Sequence, residues 1–147
     1  MKCCIVEIRR AAFLSCCLAI CGMLGCGSRE PQPDLAKVTG IVTLDGAPLS
    51  GASVSFIPKV PDARGNGRAS TAGTDEKGAF SLLYGPGQPG AIVGEHSVQI
   101  SKLSGTSEEP GSEMLPAKFN SNSELTETVT ATGPNHFEIS LVTHGKK

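Results

Sequence analysis

Residues 40–56 read GIVTLDGAPLSGASVSF and contain two short apolar segments separated by a turn signal. Val42 and Leu44 alternate with other residues before the turn, and Val54 and Phe56 alternate in the same way after it. A period of two residues is typical of a β-strand with one buried face. The Asp-Gly step between the two segments is a strong signal for a tight hairpin turn. This stretch therefore predicts β-structure.

The same alternation recurs along the rest of the chain, and no window shows a sustained helical period. The segments that we predict as strands are residues 38–44, 52–56, 69–74, 80–84, 95–101, 125–129 and 137–141. They are separated by turns rich in the chain's 18 glycines and 10 prolines. Short strands at this spacing predict an all-β fold, a seven-stranded antiparallel β-sandwich of the Ig-like type.

Charge and aromatic content exclude several classes of partner. The chain has 13 Lys and Arg against 14 Asp and Glu, a formal net charge of −1, so it offers no basic field for nucleic acid. It has no Trp and one Tyr, so platforms for stacking on bases or sugars are scarce. We expect no nucleic-acid partner.

The N-terminus has the pattern of an export signal. Lys2, Arg9 and Arg10 precede residues 11–24, which carry no charged side chain. As a helix, this apolar stretch is about 21 Å long, short of the roughly 30 Å core of a bilayer. A basic segment followed by an apolar stretch of this length is typical of a secretory signal peptide. A buried N-terminal helix is the alternative.

The six cysteines all lie within the first 26 residues, so a disulfide framework in the domain is not predicted. The last of them ends the segment Met23-Leu24-Gly25-Cys26, which resembles the lipobox of bacterial lipoproteins. The resemblance implies cleavage before Cys26, attachment of a diacylglyceryl group to its thiol, and acylation of the new amine, for example by palmitate. Two or more acyl chains are sufficient for stable membrane anchoring.

These observations predict three regions: a lipoprotein signal peptide at residues 1–25, a flexible tether at 26–36 and a β-sandwich domain at 37–147. The tether is polar and contains two prolines, and at about 3.1 Å per residue it would span about 30 Å. The expected location is the bacterial cell envelope, with the domain held to a membrane by its lipid anchor.

Three motifs carry a resemblance to a known domain family. Residues 40–56 resemble the opening strands of carboxypeptidase regulatory-like domains, with their Asp-Gly-x-Pro turn. Residues 73–80, GTDEKGAF, are similar to a hairpin of that family, and residues 94–100, GEHSVQI, to a later strand in which His96 replaces an aromatic. The resemblance covers about residues 37–142. It implies a transthyretin-like sandwich of seven strands, and it implies no single function.

No motif in the chain indicates catalysis, and we predict no cofactor and no metal. Residues 85–90, GPGQPG, fit a dinucleotide-binding pattern by letter, but two prolines remove backbone donors and no helix follows. His96, His136 and His144 are scattered without metal-ligand spacing. The chain has neither the C-terminal motif of hydroxyisourate hydrolases nor the two tyrosines of intradiol dioxygenases, the enzymes with related sandwiches.

The sequence favours a non-catalytic module with a structural or protein-interaction role, binding another envelope protein. A small-ligand or glycan-binding module and an unrecognised hydrolase are the alternatives. The 22-residue connection at 103–124 is unusually long for a compact sandwich. We expect this loop to be the recognition surface, with Lys118 and Phe119 as contacts. Alternatively, Leu115 and Phe119 cover the open end of the core.

Overall fold

The alternation of apolar and polar residues corresponds to β-structure along the chain. The computed structural model describes residues 33–61, 65, 67–105, 109 and 111–143. The strands are β1 (Leu35–Ala36), β2 (Val38–Leu44), β3 (Ala47–Pro48), β4 (Ser53–Pro58), β5 (Ser70–Gly73), β6 (Ala79–Ser81), β7 (Leu83–Gly85), β8 (Gln88–Pro89), β9 (Ala91–Ile92), β10 (Gly94–Ser101), β11 (Thr126–Val129) and β12 (Asn135–Leu141). A short 3-10 helix lies at Ala117–Phe119.

The strands form two main sheets and one small one. The six-stranded sheet has the order β11-β10-β4-β5-β7-β8, and the four-stranded sheet is β12-β2-β3 with β6 also paired to β2. Strands β1 and β9 form a separate pair. One apolar core receives buried side chains from both main sheets. The described part of the chain is therefore all-β, with mainly antiparallel strand pairing, consistent with a β-sandwich.

Phe56 lies at the centre of this core and is fully buried. Its ring contacts three other rings at tilted angles, with centroid distances of 6.3 Å to Phe80, 5.8 Å to His96 and 5.6 Å to Phe137. Most of the remaining core is Val, Leu and Ile, as the scarcity of aromatic residues leads one to expect. Large aromatics that meet at such angles add to the stability that their burial provides.

The segment predicted as one strand at 80–84 is divided between the two sheets. Its first part, β6, pairs with β2, whereas its second part, β7, pairs with β5 and β8. Leu82 lies at the crossing, where its N–H donates to Val38 O and its carbonyl accepts from Gly90 N. Strand counting by alternation misses this division, because apolar residues at every second position stay buried on both sides of the crossing. The described residues form twelve strands, so a count of seven is not what the structure gives.

Two expectations about β2 are wrong. The predicted sheets were entirely antiparallel, but β12 pairs with β2 in parallel, from Asn135↔Val38 to Leu141↔Leu44. The resemblance to carboxypeptidase regulatory-like domains also implies that residues 40–44 lie near a sheet edge, but β2 has β12 on one side and β3 and β6 on the other. The alternation of a strand reveals which side chains are buried, but it carries no information about the direction or number of its partners.

The two predicted turns have the geometry that their sequences require. Asp45 and Gly46 both have positive φ angles, +50° and +88°, as a two-residue hairpin turn requires. In the second turn, Asp75 Oδ1 accepts hydrogen bonds from Lys77 N and Ala79 N, both at 2.8 Å. Gly78 also has a positive φ, +74°. Both turns therefore depend on residues that tolerate a left-handed backbone.

The folded domain begins before residue 37. Leu35 and Ala36, which the sequence analysis placed in the tether, form β1 and pair with Ile92 and Ala91. Ala36 is buried, and Val93 N donates to Asp34 O. The predicted signal peptide, Cys26 and the tether up to residue 32 lie outside the described residues.

Candidate functional site

A shallow groove crosses the outer face of the six-stranded sheet. It consists of two adjoining depressions of about 550 and 560 Å³ that share Thr71 and Leu83 in their walls. One extends over Ser53 and Gly73, and the other over Arg68, Tyr84 and Pro86. We call the combined feature the Leu83 groove.

The division of residues 79–85 between two sheets explains why this groove exists. Because β6 pairs with β2 in the other sheet, the ladder between β5 and β7 is a single pair, Thr71↔Leu83. The outward positions beside that pair carry small side chains, Ser53 on β4 and Gly73 on β5. The sheet surface is therefore recessed next to Leu83.

Leu83 is the apolar feature of the groove. Its side chain is 48 % exposed, between Leu82 and Tyr84, which are both buried. The Arg68 guanidinium lies 5.8 Å from the centre of the Tyr84 ring, a cation–π arrangement at the far end of the groove. Leu83 is not among the predicted site residues, although the sequence carries one signal for it: a large apolar residue at an outward position of an alternating strand.

The long connection at 103–124 is ordered by Glu113 in its described part. Leu103 forms a β-bridge with Glu113, and the Glu113 carboxylate accepts hydrogen bonds from the Ser101 hydroxyl and from the N–H groups of Lys102 and Leu115. Burial acts to raise the pKa of Glu113, but the hydrogen bonds from Ser101, Leu115 and Lys102 outweigh it and lower this pKa. The carboxylate therefore stabilises the pairing between Leu103 and Glu113.

The second half of this connection packs against the core. Leu115 and Phe119 are buried, at 5 % and 7 % exposure, and both belong to the apolar core cluster. The structure thus favours the alternative in which these residues cover the core, and Phe119 is not exposed for recognition. Lys118 is exposed, but its ammonium donates to Val142 O at 2.6 Å and lies 4.8 Å from the Phe119 ring.

The histidines do not converge. His96 is buried, with Nδ1 3.0 Å from Gly94 O, and desolvation lowers its pKa although the bond to Gly94 acts to raise it. His136 is exposed beside Thr39, and His144 lies outside the described residues. Within the described ranges, no group of three or more His, Cys, Asp or Glu residues is placed to hold a metal ion.

The glycine- and proline-rich segment at 85–90 contains the end of β7, the turn that follows it and strand β8. Gly85 pairs with Gln88, and Gly87 occupies the turn with a φ of +70°. Strand β9 follows directly, so this segment leads into β-structure and not into a helix. A phosphate cradle of the dinucleotide-binding type requires a following helix, and this segment does not supply one.

Comparison with known proteins gives no family. No family model, curated protein or solved structure matches this chain. In the part of the chain that the structure describes, no helix is long and apolar enough to cross a membrane.

Proposed function

We propose that this protein is a lipid-anchored, non-catalytic β-sandwich module of the bacterial cell envelope. In this proposal the Leu83 groove binds an extended segment of another envelope protein. The observation that carries it is the recessed outer face beside Leu83, an exposed apolar side chain next to small residues. The resemblance to carboxypeptidase regulatory-like domains supports the sandwich fold of this module and implies no single function.

The anchor rests on the sequence near Cys26. The residue follows Gly25 at the end of a charge-free segment, and no cysteine lies beyond it. A small residue before the cysteine fits the pocket of a lipoprotein signal peptidase. The domain would then lie on the outer side of a membrane, at the end of its tether.

An extended polypeptide fits the groove better than a sugar or a nucleotide does. The walls of the groove hold one tyrosine and no tryptophan, and Tyr84 is itself buried, so stacking on a sugar ring is weak. The groove is open along its length and follows strand β5, whose backbone pairs with β7 at one position. A partner strand would place one apolar side chain against Leu83 and hydrogen-bonding groups over Ser53 and Thr71.

Site-specific photo-crosslinking in intact cells tests the groove. A photoreactive amino acid replaces Thr71, and the expected result is one discrete crosslinked species that disappears when Leu83→Asp is added. Val142→Asp is the matched control, because Val142 is 51 % exposed and lies outside the groove. Equal crosslinking in both variants would contradict the proposed role of Leu83.

Membrane fractionation tests the anchor separately. Cys26→Ser should release the protein from the membrane fraction or stop its processing, and the mature mass should lose the acyl groups. Cys21→Ser is the matched control, because that cysteine follows Ile20, which is too bulky for the cleavage position. A Cys26→Ser protein with unchanged mass and membrane fraction would contradict lipidation.

A further inference from the structure

A small pocket lies on the four-stranded sheet, where β12 begins beside β2. Its volume is about 250 Å³, and it is lined by Lys37, Thr39, Gly133, Pro134, Asn135 and His136. It shares no lining residue with the Leu83 groove. We call it the Lys37 pocket.

The parallel pairing of β12 with β2 brings polar side chains of the Lys37 pocket together. Thr39 and His136 are direct partners in that ladder. Lys37 lies between β1 and β2, directly before Val38, and lines the pocket together with Thr39. Thr39 Oγ1 and His136 Nδ1 are 3.0 Å apart, within hydrogen-bond distance.

The pocket is supported by a buried amide. Asn135 is 7 % exposed, and its Oδ1 accepts a hydrogen bond from Thr130 N at 2.9 Å. Its Nδ2 donates to Thr130 O at 2.9 Å and to Lys37 O at 3.4 Å. These bonds occupy the polar atoms of the Asn135 side chain. Asn135 therefore holds the backbone around the pocket in place, and the groups available to a ligand belong to Lys37, Thr39 and His136.

The Thr39–His136 pair offers a hydrogen-bond donor in either tautomer of the imidazole. If the Thr39 hydroxyl donates to Nδ1, the ring proton is on Nε2 and points away from this bond. If Nδ1–H donates to Thr39 Oγ1, the hydroxyl proton of Thr39 is available instead. A protonated imidazole would leave both donors available and add a positive charge.

Lys37 supplies the positive charge of the pocket. Its side chain is exposed, and within the described residues no carboxylate lies within ion-pair distance of its ammonium. The carboxylate that shares this face of β12 is Glu138, two pairs further along the ladder than His136 and opposite Ile41. Lys37 thus brings an unpaired positive charge to a pocket that is also lined by Thr39 and His136, whose hydroxyl and imidazole are hydrogen-bonding groups.

We propose that the Lys37 pocket binds a phosphate-type oxyanion. Its ligands are the Lys37 ammonium and the free donor of the Thr39–His136 pair. Drug-sized molecules occupy sites of roughly 300–1,000 Å³, so a pocket of about 250 Å³ suits a single anionic group. The phosphate would come from a lipid headgroup or from a free phosphate group in the envelope. The proposal concerns a different sheet from the Leu83 groove and stands independently of it.

Titrations of the full chain in detergent micelles, followed by ¹⁵N NMR at constant ionic strength, test this site. Inorganic phosphate and short-chain phosphatidylglycerol are the two probes, each added separately. We expect saturable shifts of the Thr39, Gly133 and His136 amides with at least one probe. Shifts with inorganic phosphate alone indicate a free phosphate, and shifts with phosphatidylglycerol indicate a headgroup.

Two variants and a matched control complete the test. Lys37→Gln and His136→Gln should each weaken binding by about tenfold or more, since each removes a charged or ring donor. Lys77→Gln, at an exposed lysine in the Asp75–Gly78 turn, should leave the affinity unchanged. Thermal melting of each variant verifies that the fold is retained. Shifts that do not saturate with either probe, or equal affinity in Lys37→Gln and Lys77→Gln, would overturn the proposal.

Discussion

The carboxylate of Asp45 accepts two hydrogen bonds from Thr143, one from its N–H at 3.0 Å and one from its hydroxyl at 2.6 Å. In the same place, Asp45 N donates to Leu141 O at 2.8 Å. Asp45 belongs to the turn that ends β2, and Thr143 follows the end of β12. One turn residue therefore ties the first long strand of the domain to its last one.

Asp45 is predicted to contribute through its carboxylate and through its backbone conformation. Asp45→Gly should lower the free energy of unfolding by about 1–2 kcal/mol, because it removes two hydrogen bonds to a charged group. Asp45→Ala should cost about 1–2 kcal/mol more, because alanine tolerates the φ of +50° less well than glycine does. Urea denaturation measures both values. Equal stability of the two variants would show that the backbone conformation contributes nothing.

Phe119 is predicted to be a core residue. Phe119→Ala should lower the free energy of unfolding by about 3–5 kcal/mol, the range for emptying a buried phenylalanine site. Lys118→Ala, at the exposed neighbour, should cost about 1 kcal/mol or less, since it removes one exposed hydrogen bond. Thermal and urea melts distinguish the two. A Phe119→Ala protein with unchanged melting but without partner binding would restore the loop as the recognition surface.

Replacing Gly78 is predicted to cost more stability than replacing Gly46, because Gly78 has a positive φ and is also closely packed. A Cβ on Gly78 would lie 2.3 Å from Val42 O and 3.1 Å from Leu49 N. Gly46 also has a positive φ, but a Cβ there would meet nothing within 4 Å. We therefore expect Gly46→Ala to cost about 1 kcal/mol and Gly78→Ala at least twice as much, measured by chemical denaturation. Similar costs at both positions would mean that the turn shifts to accept the side chain.

His96 is predicted to make the domain less stable in mild acid. Its pKa is lowered in the folded state, so below about pH 6.5 the unfolded chain binds more protons and the free energy of unfolding falls. Glu127, its partner on β11, acts in the opposite direction, because burial raises its pKa and the folded state then retains a proton more readily at low pH. A carboxyl group takes up its proton at a lower pH than an imidazole does, so the opposing contribution of Glu127 begins at a lower pH than the effect of His96.

The measurement that isolates His96 uses Glu127→Gln as its background. In that background the free energy of unfolding, obtained from urea melts between pH 7.5 and about 5, should decrease with falling pH. Adding His96→Phe retains a ring next to Phe56 and should flatten the profile over this range. A profile with the same slope in both proteins would assign the acid sensitivity to another group.

Alternation along single strands was sufficient to predict the all-β character of this chain. Of the residues that alternate on either side of the Asp-Gly turn, Val42, Val54 and Phe56 are fully buried, and Leu44 is half-buried. The Asp45-Gly46 turn was equally predictable, because positive φ angles select few residue types. These features depend on residues within a few positions of each other, so the local sequence contains the necessary information.

Features that join distant segments required the tertiary structure. The parallel pairing of β12 with β2, the crossing at Leu82 and the burial of Phe119 each depend on contacts between residues far apart in the chain. Both candidate sites arise from such contacts: the Leu83 groove follows from the crossing, and the Lys37 pocket follows from the register Thr39↔His136. A period of two residues specifies which face of a strand is buried, whereas the choice of neighbouring strand is decided by the packing of the whole core.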